Sequence, residues 1–308
     1  MKILIGYDGS ADSEGALQDL QAAGLPAKAS VLVATVTVPW VSYGTEGLIP
    51  LGVSAPLADY SMEALKQARL LAEQAAASIC TRFPHWKVKA EATIHEPAFG
   101  LLEQAEKWKP NLIVLGSHGR TALSRLLMGS VSQNVLHHAA ADVRVTRPRI
   151  RGRVGPPRIL VGVDGSRGSK SAVAAVAART WPPKTEIHVM GVLGYSQKLG
   201  GIPLGMDQAY WTGLMKARRL HLETAVENAI RDLAQSGWEA EGAVVSGDAR
   251  AVLVKEAKAW GADCVFLGCR GLGSVDRFLM GSVSSVVASH APCTVEIIRK
   301  GRPSRRKS

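Results

Sequence analysis

Short apolar runs alternate with amphipathic stretches along the whole chain. In the first half, the runs typical of buried strands cover residues 3–7, 31–38, 88–94, 112–115 and 143–146. Stretches with apolar residues at helical spacing cover about 61–79, 100–108 and 130–138, and Ser10 or Ser13 is placed to cap a helix after the first strand. This alternation predicts an α/β fold: an open five-stranded, mostly parallel sheet with helices on both faces, Rossmann-like in type.

The second half repeats the same order. Segment 2–10 matches segment 158–166, and Gly116 and Gly129 match Gly268 and Gly281. Trp86 and Trp108 match Trp238 and Trp260 at the same offset as the glycines, so this part of the repeat contains no gap. The predicted organisation is a first domain at 1–148, a linker at 149–157, a second domain at 158–299 and a basic tail at 300–308.

Composition indicates how the core is packed and where in the cell the protein is expected. The chain is 46% hydrophobic but only 5% aromatic, which fits helices packed closely on a sheet through small aliphatic residues. No apolar run approaches the roughly 20 residues of a membrane span, and Asp8 interrupts the apolar start too early for a signal peptide. The four cysteines show no CxxC spacing, so reduced thiols and a cytoplasmic location are expected.

The net charge of +11 is concentrated in two short segments. Residues 144–158 and 299–308 hold 12 of the 37 lysines and arginines and no acid, which leaves 25 basic against 26 acidic residues elsewhere. We expect a solvated linker and tail from this distribution. Nucleic-acid contact is not expected, apart from any made by the basic tail, and neither is a membrane contact.

Two glycine clusters follow the fourth predicted strand of each copy. They read Gly116-Ser-His-Gly119 with Gly129-Ser130-Val131-Ser132, and Gly268-Cys-Arg-Gly271 with Gly281-Ser282-Val283-Ser284, nine residues apart in both copies. A glycine there lets the backbone approach a ligand, and Gly-Ser at a helix start offers N–H groups and a hydroxyl to an anion. A single G-x-x-G is explained by an ordinary turn, but the doubled spacing predicts a phosphate site.

These clusters, the opening strands ending at Asp8 and Asp164, and the closing segment from His290 to Val295 resemble the universal stress protein family in its tandem, ATP-binding form. The resemblance covers nearly the whole chain, twice. It implies that Asp8 and Asp164 lie near adenine and ribose, and that Val36 and Val192 line the adenine. It implies sugar and phosphate contacts for Gly116, His118, Gly119, Gly129, Ser130, Val131 and Ser132, and for Gly268, Arg270, Gly271, Gly281, Ser282, Val283 and Ser284.

The two copies differ inside this motif. His118 stands where the second copy has Arg270, and Ser117 stands where it has Cys269. Arginine is always charged and can form a fork with phosphate, whereas histidine is mostly neutral at pH 7. We therefore expect the second copy to attract polyphosphate more strongly and with less pH dependence. Cys269 is expected to be an inert small side chain, with a redox role as the alternative.

Two other features have structural interpretations. His138 and its counterpart His290 fall where a helix should end, where a histidine can bond the last carbonyls; a metal site is the alternative for His137 and His138. Long loops at about 41–60 and 193–209 both contain Ile-Pro-Leu-Gly, at 49–52 and 202–205. Such loops could cover a ligand, meet the other domain or be plain surface excursions.

The expected function is nucleotide binding rather than catalysis. No G-x4-G-K-[ST] loop and no Ser-His-Asp arrangement is found, so no catalytic residue and no metal ligand is assigned. We expect a stress-response or signalling protein that binds an adenine nucleotide, namely ATP with or without Mg²⁺, at one or both sites and couples it to conformation or partners. The alternatives are a slow ATP hydrolase or nucleotide transferase, a cyclic-nucleotide binder, and a non-binding scaffold. The two domains are expected to pack as a pseudo-dimer through their last strands, and a homodimer of the whole chain is compatible with this.

Overall fold

The computed structural model describes residues 1–38, 54–119, 128–148, 155–194, 207–271 and 280–299. The chain divides into two compact units, one formed by residues 1–21 and 26–146 and the other by 22–25 and 147–308. We call these units domain 1 and domain 2. Both are built on the same plan.

Domain 1 is an open parallel sheet of five strands. The strands are β1 (Lys2–Gly6), β2 (Ser30–Thr37), β3 (Lys87–Ile94), β4 (Leu112–Gly116) and β5 (Asp142–Thr146). The helices are α1 (Ala11–Asp19), α2 (Ser54–Arg82), α3 (Pro97–Trp108) and α4 (Ser130–His138). The strand order is β3-β2-β1-β4-β5, and every pairing is parallel. The order reverses direction between β1 and β4, so a crevice opens beyond the carboxyl ends of these strands.

Domain 2 repeats this topology. The strands are β6 (Arg158–Val163), β7 (Glu186–Leu193), β8 (Glu241–Ser246), β9 (Cys264–Gly268) and β10 (Thr294–Ile298). The helices are α5 (Arg167–Ala177), α6 (Gln208–Gln235), α7 (Ala249–Ala259) and α8 (Ser282–His290). Its strands lie in the order β8-β7-β6-β9-β10, again all parallel. The predicted fold class is therefore confirmed for both halves.

The long helices α2 and α6 pack on their sheets through the same spacing of buried residues. On α2 the buried positions are Ala68, Ala72, Ala75 and Ile79. On α6 they are Leu222, Val226, Ala229 and Leu233. Intervals of four, three and four residues place each set on one helix face and make the two sets equivalent position by position. The helix of domain 1 thus presents smaller side chains to its sheet.

Two helices of domain 1 begin earlier than the sequence predicts. Helix α2 begins at Ser54 rather than near 61, so the predicted loop at 41–60 is shorter. Helix α3 begins at Pro97, because Glu96 caps it by accepting a hydrogen bond from the Phe99 N–H, and proline suits a first helical position. The Ile-Pro-Leu-Gly segments at 49–52 and 202–205 lie outside the described residues.

Two arginines of the predicted basic linker region are structural. Arg144 on β5 is only 1% exposed, and its Nε donates to Asp19 Oδ2 on α1 at 2.6 Å. Arg158 begins β6 and donates from Nε to Glu186 Oε2 at 2.8 Å. The expectation of solvated charge is wrong for Arg144, because burial of an arginine requires a paired acid and the sequence places that acid 125 residues away.

None of the helices in the described part of the chain is long and apolar enough to cross a membrane.

Candidate functional site

The first wall of the domain 1 crevice is the turn that follows β1. Gly9 has φ of 75°, which turns the chain back toward α1. The Ser10 N–H donates to Asp8 Oδ1 at 3.0 Å, and Ser10 Oγ accepts from the Ser13 N–H at 3.2 Å. Of the two predicted candidates, Ser10 and Ser13, it is therefore Ser10 that caps the N-terminus of α1. The Asp8 carboxylate is held at the mouth of the crevice by this turn.

The second wall is the glycine loop after β4. A Cβ on Gly116 would lie 2.7 Å from the Asp12 backbone carbon and 2.9 Å from the Ser13 nitrogen, so only glycine lets α1 approach this strand end. A Cβ on Gly119 would lie 2.9 Å from Asp8 Oδ2. Gly116 is thus needed for the close approach of a backbone, whereas Gly119 leaves room for the end of the Asp8 side chain.

Helix α4 is fixed to the same loop. The Gly129 N–H donates to the Ser117 carbonyl at 2.8 Å, and Ser132 Oγ donates to the Gly116 carbonyl at 2.7 Å. Gly129 is the N-cap and contributes no side-chain cap, and the first turn holds no acid. The first N–H groups of α4 are therefore available to an anion, with the exposed hydroxyl of Ser130 beside them.

A hydrogen-bonded contact that the sequence did not predict holds the loop in place. One oxygen of Asp12, Oδ2, accepts from Ser117 Oγ at 2.8 Å and from the His118 backbone N–H at 2.9 Å. The same oxygen lies 2.9 Å from Nδ1 of the His118 ring. Asp12 lies on α1, more than 100 residues earlier in the chain, so nothing local in the sequence connects it to His118.

These elements surround one cavity of about 870 Å³. All nine residues predicted for the first copy line it: Asp8, Val36, Gly116, His118, Gly119, Gly129, Ser130, Val131 and Ser132. The opposite wall is formed by β2 and α2, which contribute small residues, among them Ala34, Ala64 and Ala68. The volume falls in the range of small-molecule sites, roughly 300–1,000 Å³.

Two polar atoms of residues that line this cavity are buried without a hydrogen-bond partner in the described structure. They are Oγ1 of Thr35 on β2 and Nε2 of His118. Buried polar atoms are almost always hydrogen-bonded, so each of these calls for a partner from a ligand or solvent. Thr35 was missed by the sequence reasoning because a threonine in a strand is ordinary; its position one residue before Val36 was the available signal.

In domain 2 the predicted residues have similar local positions. Asp164 Oδ1 accepts from the Ser166 N–H at 3.0 Å, and a Cβ on Gly271 would lie 2.5 Å from Asp164 Oδ2. Ser284 Oγ donates to the Gly268 carbonyl at 2.7 Å, and the Gly281 N–H donates to the Cys269 carbonyl at 2.8 Å. Ser282 is exposed at the start of α8 with Val283 half-buried behind it, and Val192 and Arg270 are half-buried.

The surroundings of the domain 2 residues differ from those in domain 1. The strand registers make Met190 and Gly191 the counterparts of Ala34 and Thr35. On the long helix Leu222 takes the place of Ala68. Domain 2 thus has a methionine and a leucine where domain 1 has two alanines. It also has no hydroxyl at the position of Thr35.

The loop of domain 2 also lacks the carboxylate. Gly168 stands at the position of Asp12, and a Cβ there would overlap the Arg270 carbonyl. Cys269, in place of Ser117, is buried, and its Sγ lies 3.7 Å from the Arg299 carbonyl. The two loops share their glycines but are held by different contacts.

The histidines at the ends of α4 and α8 bond the helix itself. Nδ1 of His138 lies 2.9 Å from the Asn134 carbonyl, and Nδ1 of His290 lies 3.0 Å from the Val286 carbonyl. This is the capping contact expected from their positions. Among the residues that the structure describes, no three or more His, Cys, Asp or Glu side chains are grouped to hold a metal ion.

A tandem of two Rossmann-like α/β domains, each with a glycine loop and a helix start at its sheet switch point, is the class of protein that these observations define. The sequence model of the Universal stress protein family matches residues 1–147 and 156–299. The chain therefore belongs to the universal stress protein family and carries its domain twice.

The chain is similar to individual members of this family. A universal stress protein of Mycolicibacterium smegmatis is 28% identical over 96% of this chain and 96% of its own. The crystal structure of a universal stress protein from Archaeoglobus fulgidus covers 97% of this chain and 98% of its own with a TM-score of 0.57, at 21% identity, which supports the fold alone. A family protein of Arabidopsis thaliana, solved with AMP bound, covers 49% of this chain and 97% of its own at 21% identity with a TM-score of 0.34; the AMP is a ligand of that protein.

Proposed function

We propose that this universal stress protein binds an adenine nucleotide, ATP in the first place, in the cavity of domain 1 and couples the bound state to conformation or partner binding in a stress response. The observation that carries the proposal is the cavity of about 870 Å³ that gathers all nine predicted residues of the first copy. They come from four separate parts of the chain, around Asp8, Val36, 116–119 and 129–132. A set of ordinary turn glycines would have no physical reason to face one cavity together.

The cavity has two chemically different ends. The glycine loop and the start of α4 supply backbone N–H groups and the Ser130 hydroxyl, which suit a chain of phosphates. The wall formed by β2 and α2 is mostly apolar and includes small residues such as Ala34, Val36 and Ala68, which suits a flat base. Asp8 lies at the end of β1, adjacent to β2 in the sheet and beside Gly119 of the loop, in a position to accept from a ribose hydroxyl.

The two buried atoms without partners fit such a ligand. Thr35 Oγ1 on the apolar wall can donate to or accept from a base nitrogen or a sugar hydroxyl, and His118 Nε2 on the loop can meet a phosphate oxygen. Mg²⁺ would come with the triphosphate, since this ion binds through substrate phosphates and water more readily than in all-protein cages. No catalytic residue forms part of the proposal.

The nucleotide content of gently purified full-length protein tests the proposal. After denaturation, mass spectrometry and absorbance of the supernatant should show ATP at about one equivalent per chain. AMP or ADP in its place would indicate turnover and favour the hydrolase alternative. If no nucleotide is found and added ATP does not change the melting temperature, the proposal fails and the scaffold alternative takes its place.

A substitution that reduces the cavity volume at its apolar wall tests whether the nucleotide binds in domain 1. Ala68→Leu gives α2 the side chain that α6 has at Leu222, and it should lower ATP affinity by at least tenfold because the cavity loses volume at its apolar end. Ala77→Leu is the matched control, because Ala77 is exposed on the same helix. Equal affinities for the two variants would place the nucleotide outside the domain 1 cavity.

A further inference from the structure

The ring of His118 has partners at one nitrogen and none in the described structure at the other. Nδ1 lies 2.9 Å from Asp12 Oδ2 and 3.0 Å from Ser117 Oγ. The side chains of His118 and Asp12 are 11% and 25% exposed. Nε2 is buried and has no partner in the described structure, on a ring that lines the cavity. The ring nitrogen without a described partner therefore belongs to a residue at the glycine-loop end of the cavity, where the phosphates are proposed to bind.

The Asp12 contact determines what Nε2 can do. A carboxylate oxygen beside Nδ1 requires the proton at Nδ1, so a neutral ring has only a lone pair at Nε2. A lone pair repels a phosphate oxygen, which also lacks a proton. A second proton turns Nε2 into a charged donor, and hydrogen bonds from charged donors to phosphate are about twice as strong as neutral ones.

The described charges beside the His118 loop are carboxylates. Asp12 contacts the ring from α1, and Asp8 lies at the end of β1 with Oδ2 against Gly119. The first turn of α4 carries no charged residue, and the end of β5 beside the loop is Thr146, whose carbonyl accepts from the Ser117 N–H. No described cation makes a contact with the ring. A protonated ring would therefore be stabilised by Asp12, and further by an anionic ligand.

We propose that His118 takes up a proton from solvent when the phosphates of a nucleotide bind in domain 1, so that Nε2–H donates to a phosphate oxygen while Asp12 acts as the positioning residue. The inference rests on the proposed function and adds a regulation to it: nucleotide affinity in domain 1 falls as the pH rises. The second domain has no such device, because its loop carries Arg270 and Gly168 at the two positions. Arginine keeps its charge throughout the physiological range.

Calorimetric titration of ATP into the full-length protein tests this directly. Measurements at pH 5.5 to 8.5 in buffers of different ionisation enthalpy give both the affinity and the number of protons taken up. For one linked proton we expect the affinity to fall by up to about tenfold per pH unit wherever the ligand-free ring is neutral, with close to one proton taken up there.

Three variants separate the ring from the titration of ATP itself. His118→Arg keeps a cation and should bind ATP with proton uptake reduced by about one and a flatter pH profile. His118→Gln keeps a donor without charge and should bind more weakly at pH 6, again without the linked proton. Asp12→Asn should retain the contact to the His118 N–H but lower the proton uptake, and it should weaken binding most at the high end of the pH range, because the protonated ring loses its carboxylate partner.

The outcomes distinguish this inference from the proposed function. If wild type and His118→Arg take up the same number of protons at every pH, the inference is overturned and nucleotide binding still stands. If ATP does not bind at any pH, the proposed function itself fails. Circular dichroism melting curves of each variant establish that the protein is folded, and His118→Gln decides the question if Asp12→Asn does not fold.

Discussion

At the scale of single residues, Thr35 shows how a polar group can report on a ligand. A buried hydroxyl without a partner costs stability, so it persists where something else benefits from it. Thr35 Oγ1 is in that condition on the cavity wall, whereas Thr146 Oγ1, equally buried, donates to the Leu115 carbonyl at 3.1 Å. The two threonines have similar burial but opposite hydrogen-bonding states.

Thr35→Val should therefore raise the stability of the ligand-free protein and weaken nucleotide binding at once. The valine removes the unsatisfied hydroxyl, for an expected gain of about 1 kcal/mol in the free energy of unfolding. Affinity for ATP should fall several-fold, because the bound ligand loses its hydrogen bond to the Thr35 hydroxyl. Urea denaturation without nucleotide and calorimetry with it measure the two effects.

Thr146→Val is the matched control and should lower stability, by about 1 kcal/mol, since it removes a satisfied hydrogen bond. Loss of stability in both variants would mean that Thr35 has a partner in solution and no reserved role.

Gly116 illustrates a constraint on the backbone itself. Its Cβ would meet backbone atoms of Asp12 and Ser13 at 2.7–2.9 Å, and backbone cannot move as a side-chain end can. Gly116→Ala should therefore displace α1 from β4 and cost about 1–3 kcal/mol of unfolding free energy. Chemical denaturation followed by tryptophan fluorescence measures this.

Gly15 on α1 gives the opposite expectation from the same substitution. A Cβ there has no atom within 4 Å, and alanine is the better helix former. Gly15→Ala should stabilise by about 0.5–1 kcal/mol. A Gly116→Ala protein as stable as wild type would show that α1 can yield without cost.

At the scale of elements, helix starts organise both domains. Helices α1 and α5 are capped by Ser10 and Ser166, whereas α4 and α8 have Gly129 and Gly281 as N-cap residues and no side-chain cap. In α1 and α5 the hydroxyl of the capping serine accepts a hydrogen bond from one of the first N–H groups of the helix. The second pair leaves them to an anion, which is why the uncapped helices, rather than the capped ones, mark the candidate sites.

Helix α7 combines a cap with an ion pair, and the two contributions can be separated. Asp248 accepts from the Arg250 N–H as N-cap, and hydrogen bonds from the Arg250 side chain lower the pKa of this carboxyl to about 2. Asp248→Ala loses both contributions and should cost about 1 kcal/mol. Asp248→Asn keeps a capping oxygen and should stay within about 0.5 kcal/mol of wild type, because the pair is solvent-exposed.

The pH dependence has a definite sign. Because the folded-state pKa of Asp248 lies below its ordinary value of 3.8, its stabilisation is present above that value and is lost as the pH falls toward 2. The difference between wild type and Asp248→Asn in urea melts should therefore shrink on acidification. A difference that grows on acidification would contradict the assignment.

At the scale of the whole molecule, the two domains belong to one family but carry different side chains at equivalent positions of their candidate sites. Domain 1 has Thr35, Ala68 and the Asp12–His118 contact, where domain 2 has Gly191, Leu222 and the Gly168–Arg270 pair. The cavity of about 870 Å³ and two buried polar atoms without a described partner, Thr35 Oγ1 and His118 Nε2, lie in domain 1. The expectation that Arg270 makes the second copy the stronger polyphosphate site is the opposite of this proposal and stays untested, as does the packing of the two domains as a pseudo-dimer.

Hydrogen exchange on the intact chain resolves the domains without separating them. Added ATP should slow exchange at 116–119 and 129–132, whose N–H groups would face the phosphates, and should affect 268–271 and 281–284 less. Peptide-level mass spectrometry with and without nucleotide measures this. Ala68→Leu should abolish the domain 1 effect alone, and protection confined to domain 2 would reverse the assignment.

The sequence by itself determined the repeat, the alternation of strands and helices, and the positions of the glycine clusters. These features follow from local periodicity and from residue types with unusual backbone freedom, which can be recognised within a short window. Helix α4, predicted at 130–138, has those bounds in the structure. Family membership followed from the same local patterns.

Only the tertiary structure decided which distant residues meet. Asp12 and His118 are 106 positions apart, and Arg144 and Asp19 are 125 apart. Periodicity assigns a residue to a buried or an exposed face but does not say which other element covers that face. The pairing of Asp12 with His118, the burial of Arg144 and the position of Thr35 on the cavity wall therefore depend on the packing of the sheet and its helices.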